Sequence, residues 1–315
     1  MILGENVGSV FSEGREIQKV YSYGKLVWEK KTDTPDVIDY STMPFTIKAI
    51  DGAVSVVVGK VNLNDGGLIA VNYMYSINGG EWKSGNGTLT KINANDEISI
   101  ISNDIEYCRI TGDYIWVGMR QEYAVSDIYG NIMSLRYGDN FIGQTVWKEI
   151  KRYWANSGFF SGNIRNAKDL ILPATTLSKR AYNSMFFGMT SLLTPPDLPA
   201  TTLAEGCYSS MFYGCTNLLT APVLPAKTLV KGCYGGMFAY CTSLKYLKCY
   251  ATDFDAESID KVVRYYDDEN KYWVESNKWL SGIKTSGTLV CKHVDGGKNP
   301  LEEYIPSTWS VEYID

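Results

Sequence analysis

The chain has a single histidine, His293, and no Cys-x-x-Cys pair among its seven cysteines. Protein zinc sites need closely spaced cysteine and histidine ligands, so this composition argues against a metal site. There is also no Gly-x-Ser-x-Gly motif, no phosphate-binding glycine loop and no carboxylate pair in a glycosidase-like setting. The acidic run 267–269 and the pair Asp253 and Asp255 are interpreted as solvated surface charge. We therefore expect no catalysis, no metal and no cofactor.

Basic charge and long apolar runs are scarce as well. The 315 residues carry a net charge of −5, whereas a nucleic-acid groove needs a basic stripe. No run approaches the roughly 20 apolar residues of a membrane span. The first residues, Met1 to Asn6, lack the basic and apolar regions of a signal peptide. We expect neither nucleic-acid binding nor membrane insertion, and no use of the general secretion route.

Residues 172–249 contain three copies of a 26-residue unit. Each copy begins with Leu-Pro-Ala, at Leu172, Leu198 and Leu224, and tyrosine, methionine, phenylalanine and leucine follow at fixed offsets. A period of roughly 20–50 residues is typical of a solenoid, whose units bury their apolar sides only by stacking. Residues Leu203 to Cys215 have helical spacing and precede a short strand-like stretch. The pattern therefore predicts units of one helix and one strand, with the repeated aromatic and methionine side chains in the core.

Five of the seven cysteines lie in these copies. Two pairs of these cysteines occupy equivalent positions in the second and third copies, and the first copy has alanine or methionine at those positions. The two sets are Ala181, Cys207 and Cys233, and Met189, Cys215 and Cys241. Exchange of cysteine with alanine and methionine favours a buried apolar position. A disulfide between stacked turns is the alternative.

The first thirty residues carry a shorter repeat of ten, seen at Val7, Ile17 and Val27 and at Gly14 and Gly24. Apolar β-branched residues bounded by regular glycines predict a small β-meander. So small a piece buries too little surface by itself. We predict that residues 1–31 form an attachment or oligomerisation segment, with a flap packed on its own chain as the alternative. The polar stretch 32–43 is interpreted as a linker.

Several short alternating segments follow, and Asn78-Gly79-Gly80 is a strong hairpin turn. Residues 44–125 are therefore predicted to form an immunoglobulin-like β-sandwich with connecting strands. The stretch 62–67 lacks the downstream glutamate of a calcium loop and is interpreted as a turn. The repeat domain is predicted over 126–249 with an atypical first unit. Residues 250–315 are predicted to form a C-terminal cap that begins with an amphipathic helix near Asp255 to Tyr266.

These elements define the predicted fold class. It is multidomain and β-rich: an N-terminal β-meander, an immunoglobulin-like β-sandwich, and an α/β leucine-rich-repeat solenoid with a 26-residue period and a C-terminal cap.

The unit from Leu198 to Pro222, which begins Leu-Pro-Ala-Thr-Thr-Leu, resembles the BspA-type leucine-rich repeats of gut Bacteroidales. The stretches from Gly130 to Phe141 and from Trp279 to Val311 are similar to those that open and close the repeat domains of that family. The resemblance covers about residues 126–315. It implies surface display, adhesion and binding to protein or glycan, without catalysis.

The stretch from Gly14 to Trp28 resembles instead the openings of virion and tail proteins from phages and prophages of gut bacteria. Such proteins leave the cell by lysis and need no signal peptide. We therefore expect a non-enzymatic structural or receptor-binding protein of the virion surface, in a tail or fibre, and a homo-oligomer. Residues 1–31 would contact other virion subunits, and the repeat domain a host surface protein or glycan. The alternatives are a bacterial cell-surface leucine-rich-repeat adhesin whose leader is missing, and a carbohydrate-active enzyme with accessory repeats.

The binding face is expected on the strand side of the repeats. Equivalent positions of the three copies lie there, and a dense aromatic group lies near the cap, where exposed rings could anchor a ligand. For most of these rings, the core of the cap is the alternative. The candidate binding residues are Leu193, Leu219, Lys245, Tyr246, Tyr250, Tyr272 and Trp273.

Overall fold

The computed structural model describes thirteen segments of the chain. They are residues 10–12, 15–17, 19–22, 25–29, 38–61, 68–70, 72–85, 90–102, 107–112, 124–147, 159–160, 162–261 and 277–315. The chain divides into two compact units, Met1–Asp39 and Tyr40–Asp315.

The first unit contains two antiparallel hairpins. Strand β1 (Val10–Ser12) pairs with β2 (Arg15–Ile17), and β3 (Lys19–Ser22) pairs with β4 (Lys25–Glu29). Each hairpin is a separate two-stranded sheet. Two-stranded sheets are marginal in water by themselves, so the hairpins need further packing to be stable.

The second unit begins with eight strands whose mutual pairings are all antiparallel. They are β5 (Phe45–Ala49), β6 (Val54–Val61), β7 (Leu68–Ala70), β8 (Tyr73–Ile77), β9 (Lys83–Gly85), β10 (Thr90–Ile92), β11 (Glu97–Ile101) and β12 (Tyr107–Gly112). β6 pairs with β7, β10 and β12, while β11 lies between β5 and β8, and β9 pairs with β8. Phe45, Ile47 and Ala49 of β5 and Val54, Val56 and Val58 of β6 are almost fully buried and share the inward faces of their strands. Asn78 and Gly79 both have positive φ, which is typical of the turn that joins β8 to β9.

Strand β13 (Val125–Asn131) connects this region to the repeats. It pairs antiparallel with β5 and parallel with β14 (Asn163–Asn166) and β15 (Leu170–Ile171), which completes a seven-stranded mixed sheet. Helix α1 (Ser134–Tyr137) follows β13, and 3-10 helices lie at Tyr40–Thr42 and Gly138–Asn140. The buried Ser134 hydroxyl accepts a hydrogen bond from the Phe45 amide at 2.8 Å and donates to the Ile100 carbonyl at 2.9 Å. This side chain therefore fastens α1 to β5 and β11.

The three sequence copies form what we call the turn stack, residues 172–249. Between Gly206 and Gly214 of the second copy, every other amide donates to a carbonyl of the third copy: the amides of Tyr208, Ser210 and Phe212 reach Cys233, Gly235 and Met237 at 2.9–3.0 Å. The amides between them donate three residues back within their own copy. In this part of the stack the copies are therefore joined by backbone hydrogen bonds at every second residue, and the chain there is a succession of turns.

Aromatic side chains at equivalent positions stack inside the turn stack. Neighbouring tyrosine rings are 6.0 and 6.2 Å apart between centroids, and neighbouring phenylalanine rings 5.5 Å. The two columns are Tyr182, Tyr208 and Tyr234, and Phe186, Phe212 and Phe238; all six are fully buried. Trp279 of the following segment stacks on Tyr234 at 6.5 Å and so continues the tyrosine column.

The remainder of the chain covers the end of the stack with a three-stranded parallel sheet. Its strands are β16 (Tyr246–Lys248), β19 (Gly287–Lys292) and β20 (Trp309–Ile314), and Tyr246 also bridges to Thr220 of the preceding copy. Between β16 and β19 lie helix α2 (Ala256–Ile259), β17 (Asp260–Lys261) and β18 (Asn277–Lys278). A 3-10 helix at Pro300–Tyr304 precedes β20. No helix in the described segments is long and apolar enough to cross a membrane.

The predicted fold class is wrong. The described residues form a β-rich protein of mixed sheets with few helices, and residues 172–249 contain no α-helix, so the α/β solenoid of helix–strand units is not found. The backbone has positive φ at Gly206 (65°), Ser210 (55°) and Gly214 (71°). A left-handed residue at every fourth position reverses the chain repeatedly, so no continuous helix forms. The side chains that have helical spacing in the sequence point inward from successive turns.

The other parts of the predicted fold class are also corrected. β13, expected in the repeat domain, pairs with β5, so residues 44–125 do not make a self-contained immunoglobulin-like sandwich. The amphipathic helix expected near Asp255 is limited to the four residues of α2, because the chain continues as β17, which pairs with β18. The domain boundaries after residues 31, 43, 125 and 249 stay predictions.

Candidate functional site

The candidate binding residues that the structure describes lie along one side of the turn stack and on β16. Leu193 and Leu219 are 47% and 52% exposed, Lys245 and Tyr246 are exposed, and Tyr250 is half-buried. The amide of Leu193 donates to the Arg165 carbonyl at 2.8 Å, and that of Lys245 to the Leu219 carbonyl at 2.9 Å. Backbone pairing thus places Leu219 and Lys245 in neighbouring segments of the stack, and it places Leu193 beside Arg165. Tyr272 and Trp273 lie outside the described residues.

Strand alternation orients the side chains of β16 and its extension. Leu247 and Cys249 are fully buried on the inner face, so Tyr246, Lys248 and Tyr250 point to the outer face. The Lys248 ammonium lies 5.4 Å from the centroid of the Tyr250 ring, within cation–π range. β16 is paired on both sides, with β19 and with the bridge at Thr220. Its backbone is therefore fixed, and the outer side chains are presented by a rigid sheet.

Sequence reasoning missed two residues of this face. Lys248 was not singled out, although the first two copies have Pro196 and Pro222 at its position. Val290 of β19 pairs with Lys248 and is only 4% exposed, yet it is not part of the main apolar core. Because it shares the outer face with Lys248, the neighbouring outer side chains must cover it. The replacement of proline by lysine in the third copy was the sequence signal that could have identified Lys248. No sequence signal pointed to Val290.

A third aromatic column, which is partly exposed, runs along the turn stack. Phe187 stacks on Tyr213 at 4.6 Å and Tyr213 packs on Tyr240 at 5.1 Å between centroids. Tyr240 takes the position of Gly188 and Gly214 with a positive φ of 61°, and it rests against Gly282. Since these rings cover one another's faces, the column offers mainly ring edges to solvent.

Charged side chains of alternating sign occupy one equivalent position in successive copies. Lys179 pairs with Glu205 at 2.8 Å, and Lys231 pairs with Glu257 at 3.1 Å. The hydrogen bond from Lys179 lowers the pKa of Glu205, and the hydrogen bond to Glu257 raises the pKa of Lys231. These exposed ion pairs follow the direction of stacking and are interpreted as structural.

The cysteines of the turn stack are buried free thiols, which confirms the apolar-position interpretation over a disulfide. Burial raises the pKa of Cys233, Cys241 and Cys249 to about 12 and that of Cys291 to about 11. Burial also raises the pKa of the stacked tyrosines, Tyr182, Tyr208 and Tyr234. These groups are neutral in the core near neutral pH.

The residues considered for catalysis have structural contacts. The Nδ1 atom of His293 lies 2.9 Å from the Gly297 carbonyl, and its ring stacks on Tyr313 at 3.8 Å. Asp255 accepts hydrogen bonds from the Ser258 amide at 3.0 Å and hydroxyl at 2.9 Å, so it orders the start of α2. Residues 62–67 and 267–269 are outside the described segments. Within those segments, no group of three or more histidine, cysteine, aspartate or glutamate residues could hold a metal ion.

Comparisons of the chain with protein-family models, with curated proteins and with solved structures give no match. The chemistry of the candidate site follows from its own residues: apolar contact from Leu193 and Leu219, aromatic rings from Tyr246 and Tyr250, and ammonium groups from Lys245 and Lys248. This is a set suited to binding.

Proposed function

We propose that the protein is a non-enzymatic structural or receptor-binding protein of a phage or prophage virion surface. In this proposal the exposed side of the turn stack and β16 contacts a protein or glycan of the host surface. Residues 1–31 attach the chain to other virion subunits.

The observation that carries the proposal is the row of outward side chains at Leu193, Leu219, Lys245 and Tyr246. Large apolar and aromatic residues at exposed positions are typical of contact surfaces when they cluster. The Leu193 amide is bonded to Arg165, the Lys245 amide to Leu219, and Tyr246 is bridged to Thr220, so a neighbouring segment fixes the backbone of each member and the row is stiff. A stiff row suits contact with a polymer or with a large partner.

The assignment to a virion is supported by the resemblance of residues 14–28 to phage and prophage tail proteins. The division of the chain after Asp39 is in accord with a separate attachment unit. The resemblance of residues 126–315 to BspA-type repeats supports surface contact as the task of the larger unit.

Mass spectrometry of purified virus-like particles from the source culture, compared with the washed cell envelope, tests this proposal. We expect peptides of this chain in the particles at a fixed ratio to the major capsid protein. Peptides found only in the envelope would overturn the virion assignment in favour of a bacterial adhesin. Turnover of a glycan by the purified chain would overturn the non-enzymatic part and favour a carbohydrate-active enzyme.

A further inference from the structure

The third copy of the repeat departs from the first two at three neighbouring positions. The first two copies have leucine, threonine and proline there, and the third has Lys245, Tyr246 and Lys248. The stack forms with the residues of the earlier copies, so stacking alone does not require lysine or tyrosine at these places. The change places a positive charge and an aromatic ring on the outer face of β16 and a second lysine, Lys245, directly before that strand.

The same segment is locally basic in an acidic chain. Residues 241–252 contain two lysines and no aspartate or glutamate, while the whole chain has a net charge of −5. Lys245 makes no ion pair within the described segments. The acidic side chain on the outer face of this sheet is Glu312, which lies two strands away from Lys248, roughly 10 Å. The local field therefore favours an anionic ligand.

The outer face of β16 has a regular geometry. Tyr246, Lys248 and Tyr250 alternate with buried residues, so the Cα atoms of consecutive members are about 7 Å apart and those of the two tyrosines about 13 Å. Val290 forms an apolar floor beside Lys248. Hydroxyl groups flank the row at Thr220 on one side and at Thr288 of β19 on the other, and Ser310 of β20 lies one strand further away. Rings, an ammonium group and hydroxyls in one plane match the apolar faces, carboxylates and hydroxyls of acidic sugar rings.

The pairing of β16 argues against an extended peptide as the ligand. Peptides that add to a sheet use the hydrogen bonds of an unpaired edge strand. β16 is paired with β19 on one side and bridged to Thr220 on the other, so its backbone groups are engaged. Recognition at this face must use side chains alone.

We propose that the outer face of β16, formed by Tyr246, Lys248 and Tyr250 over Val290, binds an acidic glycan, with Lys248 contacting its carboxylates. This inference rests on the proposed function and specifies the class of host ligand. The cation–π contact with Tyr250 holds the Lys248 ammonium in place for a charge-assisted hydrogen bond.

Isothermal titration of the full chain with polygalacturonate, dextran and poly-L-glutamate tests the inference. We expect binding to polygalacturonate at low ionic strength and none to dextran. Lys248→Gln should weaken binding about tenfold or more, as expected for loss of one charge-assisted contact. Lys248→Arg should retain it, and Lys83→Gln, which changes an exposed lysine of β9 at the far edge of the mixed sheet, should have no effect.

Equal affinity of the parent and Lys248→Gln, with unchanged melting curves, would overturn the site. Binding to poly-L-glutamate alone would overturn the glycan in favour of an acidic peptide, and failure to bind either polymer would overturn the anionic ligand. None of these results affects the proposed virion location, which is decided by the composition of the particles.

Discussion

Gly232 has a left-handed backbone conformation, although there is room for a side chain at its position. Its φ is 62°, and a Cβ atom added to it would meet nothing within 4 Å. We expect Gly232→Ala to lower the free energy of unfolding by about 1–2 kcal/mol, because an L-residue is strained in this conformation. Urea denaturation followed by circular dichroism measures the change.

Gly297→Ala is the matched control for that experiment. Gly297 has no positive φ, and its added Cβ would make an ordinary contact of 3.5 Å with the Val294 carbonyl. We expect its unfolding free energy to stay within about 0.5 kcal/mol of the parent. Equal losses in the two variants would show that backbone conformation at Gly232 is not the cause.

The buried thiols should resist chemical modification. In a Cys108→Ser background, every remaining cysteine is one of the six described buried thiols. We expect Ellman's reagent at pH 8 to label them at least about a hundredfold more slowly in the folded protein than in urea, because the thiolate is both inaccessible and scarce. Rapid labelling of the folded protein would contradict the burial of these side chains.

At the level of single residues, the repeat pattern predicted the core well. The tyrosine, methionine and phenylalanine positions of all three copies are buried, as expected, because any stacked arrangement that keeps register must turn the same residues inward. The outer face of β16 was found only in part. Tyr246 and Tyr250 were selected as aromatics near the cap, but the role of Lys248 depends on strand alternation, which the expected unit of helix and strand did not specify.

Each element of the turn stack depends on its neighbours. The ring of Phe212 lies 5.5 Å from those of Phe186 and Phe238 and is fully buried. We expect Phe212→Ala to cost about 3–5 kcal/mol, since it removes contacts to both adjacent copies. Leu219→Ala, in the same copy but exposed, should change stability by no more than about 0.5 kcal/mol. Similar urea midpoints for the two variants would mean that the assigned core register is wrong.

The alternating charges help to set the register of the copies. Glu205→Lys would place three lysines in successive copies at positions 179, 205 and 231. We expect a lower melting temperature at low ionic strength and a smaller difference in about 0.5 M salt, because exposed charges are screened over roughly 4 Å at that concentration. Glu205→Gln, which removes the pair without adding repulsion, should show a smaller effect. A salt-independent difference would instead indicate a packing defect.

The secondary structure of the elements was less predictable than their spacing. The residues from Leu203 to Cys215 satisfy helical spacing and turn spacing equally, because both bring the same side chains to one side. The backbone conformation distinguishes a helix from a series of turns, and here Gly206 and Gly214 adopt positive φ. Two glycines eight residues apart disfavour a helix, but Ser210 adopts the same conformation, and its sequence gave no such signal.

For the whole molecule, buried ionisable groups predict loss of stability in alkali. Burial raises the pKa of Cys233, Cys241 and Cys249 from the ordinary value of 9.0 to about 12. Between these values the unfolded chain holds fewer protons than the folded chain, so the unfolding free energy falls as the pH rises. We expect a constant melting temperature from pH 7 to 8 and a progressive fall above pH 9.

Cys233→Ala tests this assignment with a residue that the first copy already has, Ala181. Removing one such group should reduce the slope of stability against pH by up to about 1.4 kcal/mol per pH unit in this range. An unchanged melting temperature up to pH 11 in the parent would mean that the thiols ionise without unfolding the stack.

The two compact units predict how the chain responds to truncation. The larger unit, Tyr40–Asp315, contains the mixed sheet, the turn stack and the parallel sheet, so a chain starting at Tyr40 should fold with the melting temperature of the full chain. If residues 1–31 attach and oligomerise the protein, light scattering should show an oligomer for the full chain and a monomer for the truncated one. Hairpins of two strands need a partner for stability, which gives the physical reason for this expectation. An oligomer that persists after truncation would place the contacts between copies in the larger unit and remove the oligomerisation role of residues 1–31.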